Sequence, residues 1–147
     1  MSGKFNHFQA ERINTIIINA NISEEKIVFL KINESGSIIF LDPTNNTITV
    51  NLPPPEEGLN FTFIVQKTAS NNITINSTNS LYSNTNLIYG NGVGGTFSSL
   101  PCAQLVLNST YQTIGDSIQF ICDGTNWFSL WNIKSTITSD QITGNTA

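Results

Sequence analysis

The fold of this chain is decided by the segment GDSIQFICDGTNWFSLW, which runs from Gly115 to Trp131. Two runs rich in β-branched and aromatic residues flank the dipeptide Asp123-Gly124. Glycine supplies the positive backbone angle that a tight hairpin connection requires. The segment therefore predicts a β-hairpin.

The return arm of this hairpin has no face that suits water. In an extended strand Trp127 and Trp131 point to one side, and Phe128 and Leu130 point to the other. One side would face the domain core. The other would be covered by a second sheet or by a neighbouring subunit, and both alternatives stay open.

Period-two patterning recurs along the rest of the chain, whereas helical patterning is almost absent. Ile48, Val50 and Leu52 alternate with polar residues, and Phe61 and Phe63 do so in the next run. Further short strands are predicted at 26–32, 37–41, 73–75 and 104–107. The pattern predicts an all-β fold, an antiparallel β-sandwich or jelly roll. The glycine-rich stretch 90–95 is predicted to be a mobile surface loop.

The two ends of the chain differ from its middle. We expect an extended N-terminal arm at 1–24, a β-sandwich domain at 25–134 and a loose C-terminal tail at 135–147. The arm could form an edge strand of its own sheet or add a strand to a neighbouring subunit. Its candidate anchor residues are Phe5, Phe8, Ile16, Ile17 and Ile18.

The composition is poor in charge. The 147 residues suit one domain, but only 11% are charged, against about 25% in a typical soluble domain. Asn, Ser and Thr replace the missing charges. Two explanations stay open, an AT-rich genome or surfaces packed against other subunits, where amide and hydroxyl groups are easier to desolvate than charges.

Charge and hydropathy argue against several partners. A net charge of -4 with scattered basic residues disfavours a nucleic-acid surface. No apolar run has the length of a membrane span, and the N-terminus lacks the pattern of a signal peptide, so we expect synthesis in the cytoplasm. Cys102 and Cys122 are then expected to remain reduced, with Cys122 as a buried thiol.

Catalytic and metal-binding patterns were sought, and none is convincing. His7 is the only imidazole and lies in the predicted arm. Asp116 and Asp123 stand near opposite ends of one predicted strand, too far apart for paired acid-base chemistry. Asp123 with Asn126 suits an Asx-type turn better than a calcium site. We therefore expect no enzyme, no cofactor and no metal.

The residues do resemble a known family. The passage ITVNLP at 48–53, then GLNFTFIV at 58–65, and later GDSIQF at 115–120 with DGTNW at 123–127 is similar to a β-sandwich domain of tailed-phage fibre and head-decoration proteins and of virion proteins of large DNA viruses. The resemblance covers roughly residues 35 to 131 and rests on pattern. The triple proline at 53–55 and the long Ser/Thr/Asn segment after Ile75 depart from the commonest form.

The resemblance implies a non-enzymatic structural protein of the virion, made in the host cytoplasm. It would serve as a capsid decoration or cement protein, a minor capsid protein or a fibre component, in contact with other capsid or tail proteins. Family members are often homotrimers, so a homo-oligomer, with a trimer favoured, is expected. The core and interface candidates are Trp127, Phe128, Trp131, Phe61 and Phe63.

An alternative is a carbohydrate- or receptor-binding module for host attachment. β-Sandwiches frequently present an exposed aromatic ring, flanked by Asn or Asp, to a sugar. The candidate contacts with a host glycan are Tyr82, Tyr89 and Tyr111, which lie near Asn-rich segments.

Overall fold

The computed structural model describes residues 13–68, 70–77, 87–93, 96–98, 101–110, 112–134 and 140–145. Within these residues the chain forms twelve β-strands and a short 3-10 helix at Ile32–Glu34, so the all-β prediction is confirmed. The strands are β1 (Thr15–Asn19), β2 (Lys26–Phe29), β3 (Ile38–Asp42), β4 (Ile48–Asn51), β5 (Asn60–Val65), β6 (Ile73–Asn76), β7 (Ile88–Val93), β8 (Thr96–Ser98), β9 (Gln104–Leu107), β10 (Ser117–Cys122), β11 (Trp127–Asn132) and β12 (Asp140–Asn145).

The strands form two six-stranded sheets. The first sheet has the order β1-β3-β5-β10-β11-β7, and the second has the order β2-β4-β6-β9-β12-β8. The first six strands alternate between the sheets, so that β1, β3 and β5 are neighbours in one sheet and β2, β4 and β6 in the other. The chain thus winds back and forth between the two sheets.

This winding makes both sheets mixed, and the antiparallel prediction is wrong. Among the described strands, six of the ten pairings are parallel. β1, β3 and β5 are each followed by a strand of the second sheet, so the chain re-enters the first sheet in its original direction. Hairpins, which would give antiparallel neighbours, are therefore replaced by crossovers for the first six strands.

Both sheets contribute to one hydrophobic core. Alternate residues are buried along the strands, as in β5, where Phe61, Phe63 and Val65 are buried between half-exposed neighbours. The second sheet adds Ile48, Val50, Ile73, Ile75, Leu105 and Leu107 to the same cluster. Period two therefore separates a core face from an outer face in each sheet.

The hairpin predicted from the sequence is confirmed. β10 and β11 pair antiparallel, with Cys122 opposite Trp127 and Ile118 opposite Trp131. Gly124 has a φ of 99°, which glycine adopts without strain. The Asp123 carboxylate accepts hydrogen bonds from the backbone N–H groups of Thr125 at 2.8 Å and Asn126 at 2.7 Å, which makes an Asx-type turn.

The glycine-rich stretch is a strand where the structure describes it, so the prediction of a mobile loop is wrong for residues 90–93. They belong to β7, which pairs in parallel with β11. Gly90 and Gly92 lie beside Trp131 in this pairing. A Cβ on Gly90 would stand 2.8 Å from Cζ3 of Trp131, and a Cβ on Gly92 would collide with its ring and carbonyl oxygen. Glycine is thus required here for close packing.

Both chain ends contribute strands to the sheets. Within the predicted arm, Thr15–Asn19 form β1 at the edge of the first sheet, which is one of the two roles left open by the sequence. Within the predicted loose tail, Asp140–Asn145 form β12 between β9 and β8, so that expectation is wrong for these residues. Main-chain pairing with two neighbouring strands places β12 there, although its sequence has little apolar character.

Replacing Gly92 by Ala should destabilise the domain. The added methyl group meets the Trp131 ring, so overpacking should lower the free energy of unfolding by about 1–3 kcal/mol. Urea denaturation of the purified protein measures this change. Asn91→Ala, on the same strand but at an exposed position, is the matched control and should remain near the wild-type stability. Equal midpoints for the two variants would contradict the packing role of Gly92.

Candidate docking face

Most of the predicted core and interface residues are core residues. Trp127, Phe61 and Phe63 are almost completely buried, and Trp131 is 9% exposed. The rings of Phe61 and Trp127 lie 6.1 Å apart. Phe128, by contrast, is 43% exposed and lies on the outer face of β11. Of this set, Phe128 is the residue that the structure makes available to a partner.

Phe128 lies in a contiguous apolar patch on the outer face of the first sheet. The pairing of β10, β11 and β7 aligns Ile121, Phe128 and Tyr89 in one row across three strands. Leu130 stands two residues further along β11 on the same face and is 53% exposed. We call Tyr89, Ile121, Phe128 and Leu130 the Phe128 patch. Four large apolar or aromatic side chains, all at least 37% exposed, form one continuous surface.

Tyr89 and Phe128 form the aromatic centre of this patch. Their ring centroids are 5.5 Å apart with an interplanar angle of 21°, which is a stacked arrangement. The contact depends on the parallel pairing of β7 with β11. Sequence reasoning missed the pair because β7 reads as a loop, although Ile88 and Tyr89 before the glycines carry a weak strand signal.

A second apolar row lies across the same sheet. The register of β1, β3 and β5 aligns Ile17, Phe40 and Ile64 on the outer face. Between this row and the Phe128 patch is a shallow hollow of about 320 Å³. It is lined by Thr62, Ser117, Gln119, Leu130, Trp131 and Asn132.

The outer face of the first sheet is nearly free of charge. Side chains alternate between the two faces of each strand, which assigns the outward positions of the first sheet. Among the described residues at these positions, Asp42 is the one that is charged. The Asp42 carboxylate accepts hydrogen bonds from Thr44 and pairs with the Lys67 ammonium at 2.9 Å. A partner that binds this face therefore meets apolar and amide groups and hardly any unpaired charge.

The second sheet has a different outer face. Asn76 Nδ2 donates to Asn51 Oδ1 at 3.0 Å, and Gln104 Nε2 donates to Asn76 Oδ1 at 2.8 Å. These amides alternate along their strands with core residues of the second sheet. The amides of the ladder bond to one another, and the large exposed apolar residues of this face, Ile27 and Phe29, lie on its edge strand β2. Of the two outer faces, the first therefore has more reason to be covered.

The remaining candidate residues fall into two groups. Ile16, Ile17 and Ile18 lie in β1, and Ile17 is 60% exposed. The other candidates, Phe5, Phe8, Tyr82, Tyr111 and His7, lie outside the described residues.

The carboxylates of the described residues have structural partners or lie on the surface. The two oxygens of the buried Asp116 accept hydrogen bonds from the backbone N–H groups of Thr113 at 2.8 Å and Lys134 at 3.0 Å. Glu56 and Glu57 are exposed. The part of the chain that the structure describes contains no group of three or more His, Cys, Asp or Glu side chains that could hold a metal ion. It also contains no helix long and apolar enough to cross a membrane.

Both cysteines are buried, and neither forms a disulfide bond. Burial raises the pKa of Cys122, and the nearby Asp123 carboxylate raises it further. The backbone of Cys102 forms an isolated β-bridge with Ile88. Ile88 pairs with Trp127, and Trp127 lies opposite Cys122. Three strand spacings therefore separate the two cysteines, about 14 Å. This distance is beyond the reach of a disulfide bond.

A scan against protein-family models and a search of curated proteins find no match to this chain.

Acid should destabilise the protein through Asp123 and Asp42. Hydrogen bonds from the Asn126 and Thr125 amides lower the pKa of Asp123. Burial raises the pKa of Asp42, but hydrogen bonds from Thr44 and the Lys67 ammonium outweigh burial and lower it overall. Carboxyl groups with lowered pKa stabilise the fold above their ordinary pKa of 3.8, and this contribution is lost as the pH falls through the folded value.

The variant Asp123→Asn tests this linkage. Asn keeps an oxygen acceptor for the turn but does not titrate, so the loss of unfolding free energy as the pH falls below the ordinary pKa of 3.8 should be smaller than in the wild type. Urea unfolding at a series of pH values measures the slope, and Glu57→Gln at an exposed position serves as the control. An unchanged slope for Asp123→Asn would refute the assignment.

Proposed function

We propose that this chain is a non-enzymatic structural protein that acts through subunit contacts on the outer face of its first sheet. The observation that carries the proposal is the Phe128 patch, a continuous and exposed apolar surface on a sheet face nearly free of charge. Burial of such surface is the main driving force of protein association. The two sheets would face each other as a sandwich, as their common hydrophobic core supports.

The resemblance of residues 35 to 131 extends the proposal to a virion. In this role the chain is a capsid decoration or cement protein, a minor capsid protein or a fibre component, made in the host cytoplasm and assembled with other virion proteins. A homotrimer is the oligomer that the resemblance favours. Phe5 and Phe8 remain proposed anchors of the N-terminal segment.

The Phe128 patch should be required for association. The double variant Phe128→Ser, Leu130→Ser removes apolar area at exposed positions, so the protomer should fold while the native mass falls below that of the wild-type assembly. Light scattering on a sizing column measures the mass. Ile114→Ser is the matched control, because Ile114 is 64% exposed and lies outside the first sheet.

Two outcomes would count against this function. A double variant with the native mass of the wild-type oligomer would exclude the patch from the interface. If the wild type is a monomer, the patch must instead mediate attachment to particles, and the double variant should then fail to co-sediment with purified virions. Equal co-sedimentation of wild type and double variant would overturn the proposal.

The second candidate function is binding of a carbohydrate. The observation that favours it is the exposed stack of Tyr89 on Phe128, because a flat aromatic surface beside amide groups can bind the apolar face of a sugar ring. Asn91 neighbours Leu130 in the strand register, and Gln119 lines the adjacent hollow.

A glycan-array screen tests this candidate. Any glycan bound by the wild type should lose about tenfold or more in affinity with Tyr89→Ala, because one of the two stacked rings is removed. Ile114→Ala should bind as the wild type does. A screen without a hit above background, or a hit that Tyr89→Ala retains, would exclude the Tyr89 site.

A further inference from the structure

The outer edge of β1 is an open strand edge. β1 pairs with β3 on one side, and no described residue pairs with its other side. The sequence of β1 is TIIIN, which has no charge and no proline. Natural proteins usually protect such edges with a lysine, a proline or a bulge. Within β1 none of these is present.

The hydrogen bonds to β3 define which groups face the open edge. Ile38 N–H donates to the Asn14 carbonyl at 3.0 Å, and Ala20 N–H donates to the Asp42 carbonyl at 3.2 Å. Backbone groups alternate in direction along a strand, so Ile16 and Ile18 also face β3. The N–H and C=O groups of Thr15, Ile17 and Asn19 therefore point to the open edge.

We propose that a second copy of this chain pairs with the edge, β1 against β1 in antiparallel orientation, about a two-fold axis at Ile17. TIIIN is self-complementary in this register. Ile17 lies opposite Ile17 of the second copy, Ile16 opposite Ile18, and Thr15 opposite Asn19. Each polar residue meets a polar residue and each apolar residue meets an apolar one.

The backbone directions agree with this register. Residues opposite one another in an antiparallel ladder exchange both of their hydrogen bonds at alternate positions. In the proposed pair these positions are Ile17 with Ile17, and Thr15 with Asn19 on each side. They are the residues whose N–H and C=O groups face the open edge, so the three pairs can form about six hydrogen bonds.

The burial of the side chains near the edge also agrees with the proposed pairing. Ile39 and Leu41, on the core face of the neighbouring β3, are fully buried, but Ile16 on the core face of β1 is only partly buried. In the two-fold pair Ile18 of the second copy lies beside Ile16, which extends the core across the axis. Because the edge lies in the plane of the sheet, the pairing leaves the Phe128 patch accessible. The inference thus goes beyond the proposed function.

Cysteine cross-linking of the full chain tests the register. Cα atoms at a hydrogen-bonded antiparallel pair are about 5.5 Å apart, which a disulfide can span. Under mild oxidation Ile17→Cys should form a covalent dimer at least about tenfold faster than the exposed control Ile114→Cys, because pairing concentrates the two thiols. A mixture of the Thr15→Cys and Asn19→Cys variants should form the cross-linked dimer faster than either variant by itself, because Thr15 lies opposite Asn19 of the second copy. The native Cys102 and Cys122 are buried, so they should not contribute.

A second measurement covers the possibility that the cysteine geometry is unfavourable. Ile17→Pro removes an N–H that points to the open edge, so it leaves the ladder to β3 intact while it blocks pairing. Its native mass should be half that of the wild-type assembly, and Ile17→Val should keep the wild-type mass. Phe128→Ser should leave the Ile17→Cys cross-link intact, which separates this edge from the Phe128 patch. The proposal is overturned if Ile17→Cys links no faster than Ile114→Cys and Ile17→Pro leaves the mass unchanged.

Discussion

Both sheets bury alternate side chains in one common core, and the other features of the molecule depend on this constraint. Since Phe61, Phe63, Phe120 and Trp127 occupy the core face of the first sheet, their immediate neighbours along the strands must face outward. Three of those neighbours, Ile64, Ile121 and Phe128, are also apolar. Successive side chains of a strand point to opposite faces, and β11 has apolar residues at consecutive positions. One of each pair therefore lies in the core and the other on the outer face, which produces the Phe128 patch.

The outer faces of the two sheets differ in the polarity of their side chains. The second sheet carries an amide ladder of Asn51, Asn76 and Gln104 whose side chains donate to one another. The first carries stacked aromatic rings, aliphatic side chains and one paired carboxylate. The exposed apolar residues of the second face among the described residues, Ile27 and Phe29, lie on its edge strand β2, so removal of water stabilises contacts of the first face more. The low charge of the chain fits this division, because amides are easier to desolvate than ions.

Winding between the sheets explains why the edges matter. Residues paired across β1, β3 and β5 are 23 and 24 residues apart, so one sheet is extended by one strand with each turn of the chain. The first turn leaves β1 at an edge, and no described strand precedes it. An edge of this kind is a consequence of the winding, and its self-complementary sequence turns it into a candidate contact.

The sequence by itself determined the strands with strong local signals. The hairpin of β10 and β11, and the runs at β3, β4, β5, β6 and β9, carry period two or a turn dipeptide, which depend only on neighbouring residues. Of the candidate site, it placed Phe128 and Leu130 together on one face of β11 without deciding which face is the core, and it named Tyr89 for a different role.

Only the tertiary structure decided the sheet order, the parallel pairings and the contact of Tyr89 with Phe128. β7 and β12 are strands because β11, β9 and β8 supply partners for their backbone groups, and Gly90 and Gly92 are needed because Trp131 occupies the space beside them. Such contacts join residues about 40 positions apart in the chain, as between Tyr89 and Ser129. Local patterns contain no information on which distant strand becomes the neighbour.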